Sequence, residues 1–420
     1  MNLYCKEGSI VKRKQYLVIL ISFLFIFIFS GCKKNSSNKS SSNKKLNIYV
    51  DIKDEKTKEV FKIIIDEFEK ENKNVELNIM NSMSKSKIDE DMAKSDNIDM
   101  VVINRNVMLE LKEKGIISDV SSIYEKVNLN QKFYSAVCAY GKIGDKYFGI
   151  PVIPYSLEII YNKESIKQFG INKLDNLNDT EMLFKRMKEK NLKIPVILNE
   201  ELTPSLAVAG FVGNNTINVG ELEKYYDVGK EKYNNITYMQ NFFSELNNLV
   251  KASGIDDKFF EKKDTSAIKD VEKGSVPAAI AMSYVSKDLR DLPLNILSSY
   301  SLSSVKVNPP IIVNAIICAS ANSKNQEDIN KFLEFITEDS VQKKIADEGY
   351  ITGNREANKN FQGYLQNIIS HFENANENNV LFFYNLPEKM ILPLNNEVEK
   401  VLGGSYSNDQ WRKVIENTYK

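Results

Sequence analysis

Residues 141–171 read GKIGDKYFGIPVIPYSLEIIYNKESIKQFGI. Glycines and aromatics fill the first third, Pro151 and Pro154 stiffen the middle, and LEIIY at 157–161 has the apolar, β-branched character of a buried strand. A stiff extended segment is what a chain needs where it leaves one compact body and enters another. The first crossing between two lobes is therefore expected at residues 151–157.

The flanking sequence supplies the bodies. Upstream, LNIYV at 46–50 reads as a strand, and Val60, Phe61, Ile64, Ile65 and Phe68 recur at helical spacing. Val75, Leu77 and Ile79 alternate as a second strand, DMVVI at 99–103 is a third, and the helix carrying Val107, Leu109 and Leu111 stops at Gly115. Downstream, residues 218–250 and 255–275 read as helix-rich, and PAAIAM at 277–282 as a short buried strand. Pro309 and Pro310 precede an apolar run at 311–319, read as one continuous strand. Ser323 and Gln326 suggest a capping box for the helix bearing Ile329, Phe332, Leu333 and Ile336. Strands alternating with helices imply a largely parallel α/β arrangement. The expected architecture is two α/β lobes joined by more than one crossing, with 46–152 and 306–337 in the first and 153–305 and 338–420 in the second. A ligand cleft is expected between them.

Composition narrows the chemistry. The 420 residues are 42% hydrophobic and 27% charged, enough to bury large cores, and 56 basic side chains balance 56 acidic ones. Such a balance gives no global attraction to phosphate backbones, so nucleic acid is not an expected partner. His371 is the only histidine and the four cysteines include no CxxC pair, which argues against triad and zinc chemistry. The densest carboxylate run, Asp89-Glu90-Asp91, reads as a solvated loop or helix cap. With no Walker A, GxSxG or HExxH sequence, an enzyme is not expected.

The N-terminus speaks to location. Lys12-Arg13-Lys14 precede the apolar run YLVILISFLFIFIF at 16–29, which ends in Ser30-Gly31-Cys32. As a helix, 14 residues rise about 21 Å, short of the roughly 30 Å hydrocarbon core. Residues 1–31 thus read as an export signal. The small residues before Cys32 resemble a bacterial lipobox, with Phe29 where Leu is usual, which implies cleavage and lipidation at Cys32. Loss of Lys6, Lys12, Arg13 and Lys14 against Glu7 alone leaves a mildly acidic chain. KKNSSNKSSSNKK at 33–45 reads as a flexible tether holding the body near a membrane face. Cys138 and Cys318 sit in apolar settings and read as buried free thiols, with a disulfide between them the alternative.

These pieces, taken in order, resemble the extracellular solute-binding proteins of ABC importers, the family that includes maltose-binding protein. The resemblance spans nearly all of residues 46–420. Its carriers are LNIYVDIKDEKTKEVFKIIIDEFEK, DMVVINRNVMLELKEKGIISDVSSI, the 141–171 stretch, GSVPAAIAMSY at 274–284, the segment from IICASANSK to GYITGNREA, and VLGGSYSNDQWRKVIE. Thr352 departs from the family's usual Pro. The resemblance implies a hinge-bending receptor, expected as a monomer without cofactor, that hands a small solute, most readily a sugar or short oligosaccharide, to a membrane permease. A surface lipoprotein that senses a solute or binds a partner without transport is the alternative.

Positions that hold ligand contacts in that family carry Asp51, Asn104 and Arg105, Tyr155, Ser283 and Tyr284, and Tyr384 here. Asp51 can accept two hydroxyls, Arg105 can donate several hydrogen bonds, and the tyrosines can offer apolar faces to sugar rings. Relatives that bind maltodextrins stack sugars on tryptophans, whereas this chain has only Trp411, in its last helix, and Met390 or Ile391 near the late stacking position. A long glucan is not the expected ligand.

Overall fold

The computed structural model describes residues 44–81, 85–94, 97–288, 294–302 and 306–420. The signal sequence, Cys32 and the tether up to residue 43 lie outside the described residues. The described residues from 44 onward form one compact unit with two main sheets carrying separate helical layers, and a two-stranded ribbon of Lys142–Ile143 and Lys146–Tyr147.

In the first sheet, β1 (Lys44–Val50) pairs in parallel with β2 (Val75–Met80) and β3 (Met100–Ile103). Strand pairing already includes Lys44 and Lys45, two residues the sequence assigned to the tether. β4 (Ile150–Pro151) and β11 (Ile316–Ala319) complete the order β2-β1-β3-β11-β4, with β11 antiparallel to both neighbours. α1 (Glu55–Glu71) forms because Asp54 caps its free amides and Val60, Phe61, Ile64 and Phe68 fall on one face. Phe68 packs edge-on against Phe332 and Phe335 of α7 (Gln326–Phe335), with ring centroids 4.9 and 5.2 Å apart. Burying each such ring contributes about 1.5–3 kcal/mol.

The second sheet runs β9-β5-β8-β6-β7. It comprises β5 (Pro154–Asn162), β6 (Ile194–Ile197), β7 (Phe260–Lys262), β8 (Ala278–Met282) and β9 (Leu294–Ile296). All nine residues of β5 are buried, because strands flank it on both sides and helices cover it. α4 (Pro204–Thr216) and α6 (Thr237–Ser253) lie between β6 and β7 in the chain. The stretch 255–275, expected as helix-rich, holds short helical pieces at Asp257–Phe259, Thr265–Ala267 and Ile268–Glu272, and between them β7, where the bulky Phe260 extends beside Ile194 of β6 and is buried.

The chain crosses between the sheets where two prolines stiffen it: Ile150–Pro151 pair in the first sheet and β5 begins at Pro154 in the second. The run 311–319 is not one strand. β10 (Ile311–Val313) pairs with β5 and β11 belongs to the first sheet, so Asn314 and Ala315 make a second crossing. The two crossings touch through the Val152 amide and the Ala315 carbonyl, 2.9 Å apart. The Ser323–Gln326 capping box does not form. Asn325 precedes α7, while the Ser323 hydroxyl donates to Asp99 at 2.6 Å and accepts the Asn325 amide at 3.0 Å. α8 (Asp339–Asp347), expected with the second lobe, packs on α1 of the first, and α9 (Tyr364–Asn374) packs on β5 and β9.

Candidate functional site

Three loops that follow strands meet beside the crossings. The turn after β1 ends in Asp54, 3% exposed, whose carboxylate accepts the Thr57 amide at 3.1 Å and also the Thr57 hydroxyl. That hydroxyl lies 3.3 Å from the phenol of Tyr155, at the start of β5. The same Asp54 oxygen accepts the side-chain amide of Asn314, on the second crossing, at 3.4 Å. The Asn314 amide oxygen accepts the hydroxyl of Tyr384 at 3.3 Å, from the short turn Phe382–Asn385 of the second body. A chain of hydrogen bonds thus runs from α1 through the second crossing to Tyr384, with a branch to Tyr155 at the start of β5. Tyr284 completes the aromatic wall, edge-on to Tyr155 with ring centroids 5.6 Å apart.

Within electrostatic reach of Asp54 stands Glu201, in the loop after β6. Burial pushes its carboxyl up to about 7; Asp54, Asp51 and Glu200 add to the rise, and Lys53 opposes it. Its Oε2 is enclosed with no hydrogen-bond partner. Burial likewise raises the phenols of Tyr155, Tyr284 and Tyr384, each with Asp54 adding to the rise. The site is therefore rich in acceptors and low in positive charge, walled by aromatic rings. Such a setting suits a neutral, hydroxyl-rich solute or one carrying donors. Tyr155, Tyr384, Asp54 and Asn314 are each at most 4% exposed.

The residues singled out in the sequence occupy different roles. Asp51, Tyr155, Tyr284 and Tyr384 gather at this place. Asp51 is exposed and also edges a cavity of about 560 Å3 with Ile52, Phe61 and Ile79. Asn104 uses its side chain to cap α2 (Arg105–Glu113), accepting the Val107 amide at 3.1 Å. Ser283 accepts the Ser156 amide at 2.9 Å and fastens the end of β8 to β5. Arg105 is 2% exposed and engaged with backbone and side chains on both bodies, described below. Trp411 is buried in α10 (Gln410–Thr418), its indole donating to the Tyr233 carbonyl at 2.8 Å, so it offers no stacking surface.

Sequence reasoning missed Asp54, Thr57, Asn314 and Glu201. Asp54 announced itself only as a helix cap and Asn314 as one polar residue inside an apolar run. Glu200-Glu201 stood at the end of a strand just before the Thr203-Pro204 helix start, a place where α/β sheets gather ligands.

The lone histidine is structural. His371 Nδ1 lies 3.0 Å from Glu158 on β5, and the same carboxylate accepts the hydroxyls of Ser156 and Tyr300 at 2.5 Å each. Among the described residues no group of three or more His, Cys, Asp or Glu side chains is placed to hold a metal ion, and no helix is long and apolar enough to cross a membrane.

The family described as bacterial extracellular solute-binding protein matches residues 54–343. Solved structures agree in fold. A family 1 extracellular solute-binding protein from Bifidobacterium longum subsp. infantis is 15% identical and superposes with a TM-score of 0.66 over 90% of this chain and 99% of its own. The sugar-binding protein MalE from Xanthomonas citri is 12% identical, with a TM-score of 0.64 over 89% and 97%. A substrate-binding protein from Listeria monocytogenes in complex with cycloalternan is 16% identical, with a TM-score of 0.58 over 90% and 98%. No curated protein matches the chain significantly.

Proposed function

The chain belongs to the bacterial extracellular solute-binding proteins, which are binding receptors and not enzymes, and from that membership we propose that it captures a sugar or short oligosaccharide between its two lobes and delivers it to an ABC permease. The observation that carries this reading is the hydrogen-bonded chain Thr57–Asp54–Asn314–Tyr384 with Tyr155 and Tyr284 beside it and the Glu201 carboxyl within electrostatic reach of Asp54. Acceptors for hydroxyls and flat apolar faces for ring carbons meet at one place, and they come from both bodies. A solute touching both favours the closed arrangement by its differential affinity for that arrangement. Sugar-binding relatives of the same fold support the choice of solute class.

The absence of an available tryptophan favours a small sugar over a long glucan. The apolar run ending in Ser30-Gly31-Cys32 supports a lipid anchor at Cys32, which would hold the receptor at the extracellular face of the cell membrane. As an anchored monomer it would present captured solute to the permease.

The test uses residues 33–420, stripped of bound solute by unfolding and refolding, and follows thermal unfolding against mono- and oligosaccharides, polyols, amino acids and peptides. A sugar at about 100 times its dissociation constant stabilises by roughly 2.7 kcal/mol, and Tyr155→Ala or Tyr284→Ala should abolish that shift. A folded protein shifted by no sugar, or only by amino acids or peptides, would sink the reading.

A further inference from the structure

Arg105 is a fully enclosed cation in a receptor for small solutes, and its bonds divide into two sets. The first set lies within its own body. Nη1 donates to the carbonyls of Ala139, Tyr140 and Lys142, at 3.1, 2.7 and 2.8 Å. Those carbonyls belong to the C-terminal end of α3 (Ser135–Gly141) and the residue after it, where helix carbonyls lack intrahelical partners and a cation is favoured. The guanidinium is thus held rigidly by the first lobe. Its second set crosses to the other lobe. Nε donates to the Asn385 side-chain oxygen at 3.0 Å, and Nη2 pairs with the carboxylate of Glu223, the last residue of α5 (Val219–Glu223).

Glu223 returns the contact with its other oxygen, which accepts the Gly144 amide of the first lobe at 2.9 Å. Asn106, beside Arg105, donates to the carbonyls of Phe383 and Leu386 at 2.9 and 2.6 Å, and its own carbonyl accepts the Tyr226 hydroxyl at 3.0 Å. These bonds run from the region of α2 and α3, which pack on β11 and β4 of the first sheet, to α5 and the Phe382–Asn385 turn, which pack together, the turn also reaching α4 beside β7 of the second sheet.

We propose that Arg105 and Glu223, with Asn385, form a clasp that holds the two lobes closed, so that Arg105 governs solute retention without touching the solute. The planar guanidinium suits the task because three carbonyls of one lobe orient it while its remaining edge faces the other lobe. When the lobes part, Glu223 loses its cation and Arg105 loses two acceptors, and water must resolvate both groups. Closure is therefore favoured before any solute arrives, and a bound solute adds its own contacts to that bias. The proposal rests on the receptor reading only for the consequence of closure; the clasp itself is testable with no ligand present.

The experiment measures lobe separation in ligand-free residues 33–420, labelled at Lys73→Cys on the first body and Lys251→Cys on the second. Both positions are exposed, and the native Cys138 and Cys318 are buried. Pulsed electron-spin distance measurements on the parent should give a predominantly short distribution. Glu223→Gln, which keeps a hydrogen-bonding side chain but removes the charge, should raise the open-to-closed ratio about tenfold or more, the scale of one lost charge-assisted hydrogen bond. Arg105→Lys should do the same, and the double variant should open no further than Arg105→Lys alone, since both act on one contact. Glu223 is half-buried at the lobe boundary, so Glu223→Gln remains decisive even if Arg105→Lys proves poorly folded. A folded Glu223→Gln variant with the parent's distance distribution overturns the clasp. A failed solute panel leaves this measurement intact, and the two ideas stand or fall separately.

Discussion

At the scale of single residues, Glu201 has the sharpest consequence. Its folded carboxyl holds a proton up to about pH 7, whereas the unfolded chain releases it near the ordinary glutamate value of about 4.3. Between those values the native state binds more protons than the unfolded state, so stability falls as pH rises and levels off above pH 7. Glu201→Gln should remove this slope, leaving the variant near parity at pH 4.5 and more stable by about 3 kcal/mol at pH 8. Urea unfolding at the two pH values checks it, and parallel profiles for parent and variant would refute it. The thiols give a second residue-scale expectation. Burial pushes Cys138 up to about 12 and raises Cys318 as well, and both are free. In residues 33–420 a maleimide should therefore react with neither thiol in the native protein and with both after unfolding; reaction in the native state would contradict the buried, protonated environment. The tyrosines and Asp51 were singled out because family position pointed to them. Asp54 and Glu201 were not, because a carboxylate that caps a helix and one that is buried without a partner look alike in sequence.

At the scale of elements, α4 shows how closely the second body packs. A methyl group on Gly213 would stand 2.4 Å from the Phe382 ring, and one on Gly210 would stand 2.7 Å from Leu381. Phe382 in turn packs against Phe242 of α6, with centroids 5.1 Å apart, so it has little room to retreat. Gly213→Ala gains helix propensity of up to about 1 kcal/mol, but overpacking costs about 1–3 kcal/mol. A net loss of stability is expected, measurable as a lowered Tm. Gly220→Ala is the control: its new methyl meets only the Asn218 side chain at 3.6 Å, and stability should hold or rise. A stabilised Gly213→Ala would refute the close approach. Helices were read well where apolar residues kept a regular period, as in α1. The 311–319 run was misread as one strand, since both halves are continuously apolar and only their partners reveal that they belong to different sheets.

At the scale of the whole molecule, closure couples the site to the clasp. Solute contacts and the Arg105–Glu223 pair both favour the closed arrangement, so a clasp variant should bind solute more weakly even with every solute contact intact. What the sequence by itself determined was local and periodic: the strand and helix patterns, the stiff crossing at Pro151 and Pro154, the single histidine, the apolar N-terminal run, and a family resemblance carried by motifs in order. Those features depend on neighbours a few residues apart, and chain chemistry encodes them directly. Only the tertiary structure decided that Arg105 bonds to Asn385 and Glu223, that Asn104 and Ser283 spend their side chains on a helix cap and a strand, and that Asn314 donates to Asp54 near the buried Glu201 carboxyl. Apart from the short-range caps that Asn104 and Asp54 make, these roles are set by partners between 34 and 280 positions away or by the burial those partners create, and a polar residue's role follows from which acceptor, donor or charge the fold places against it.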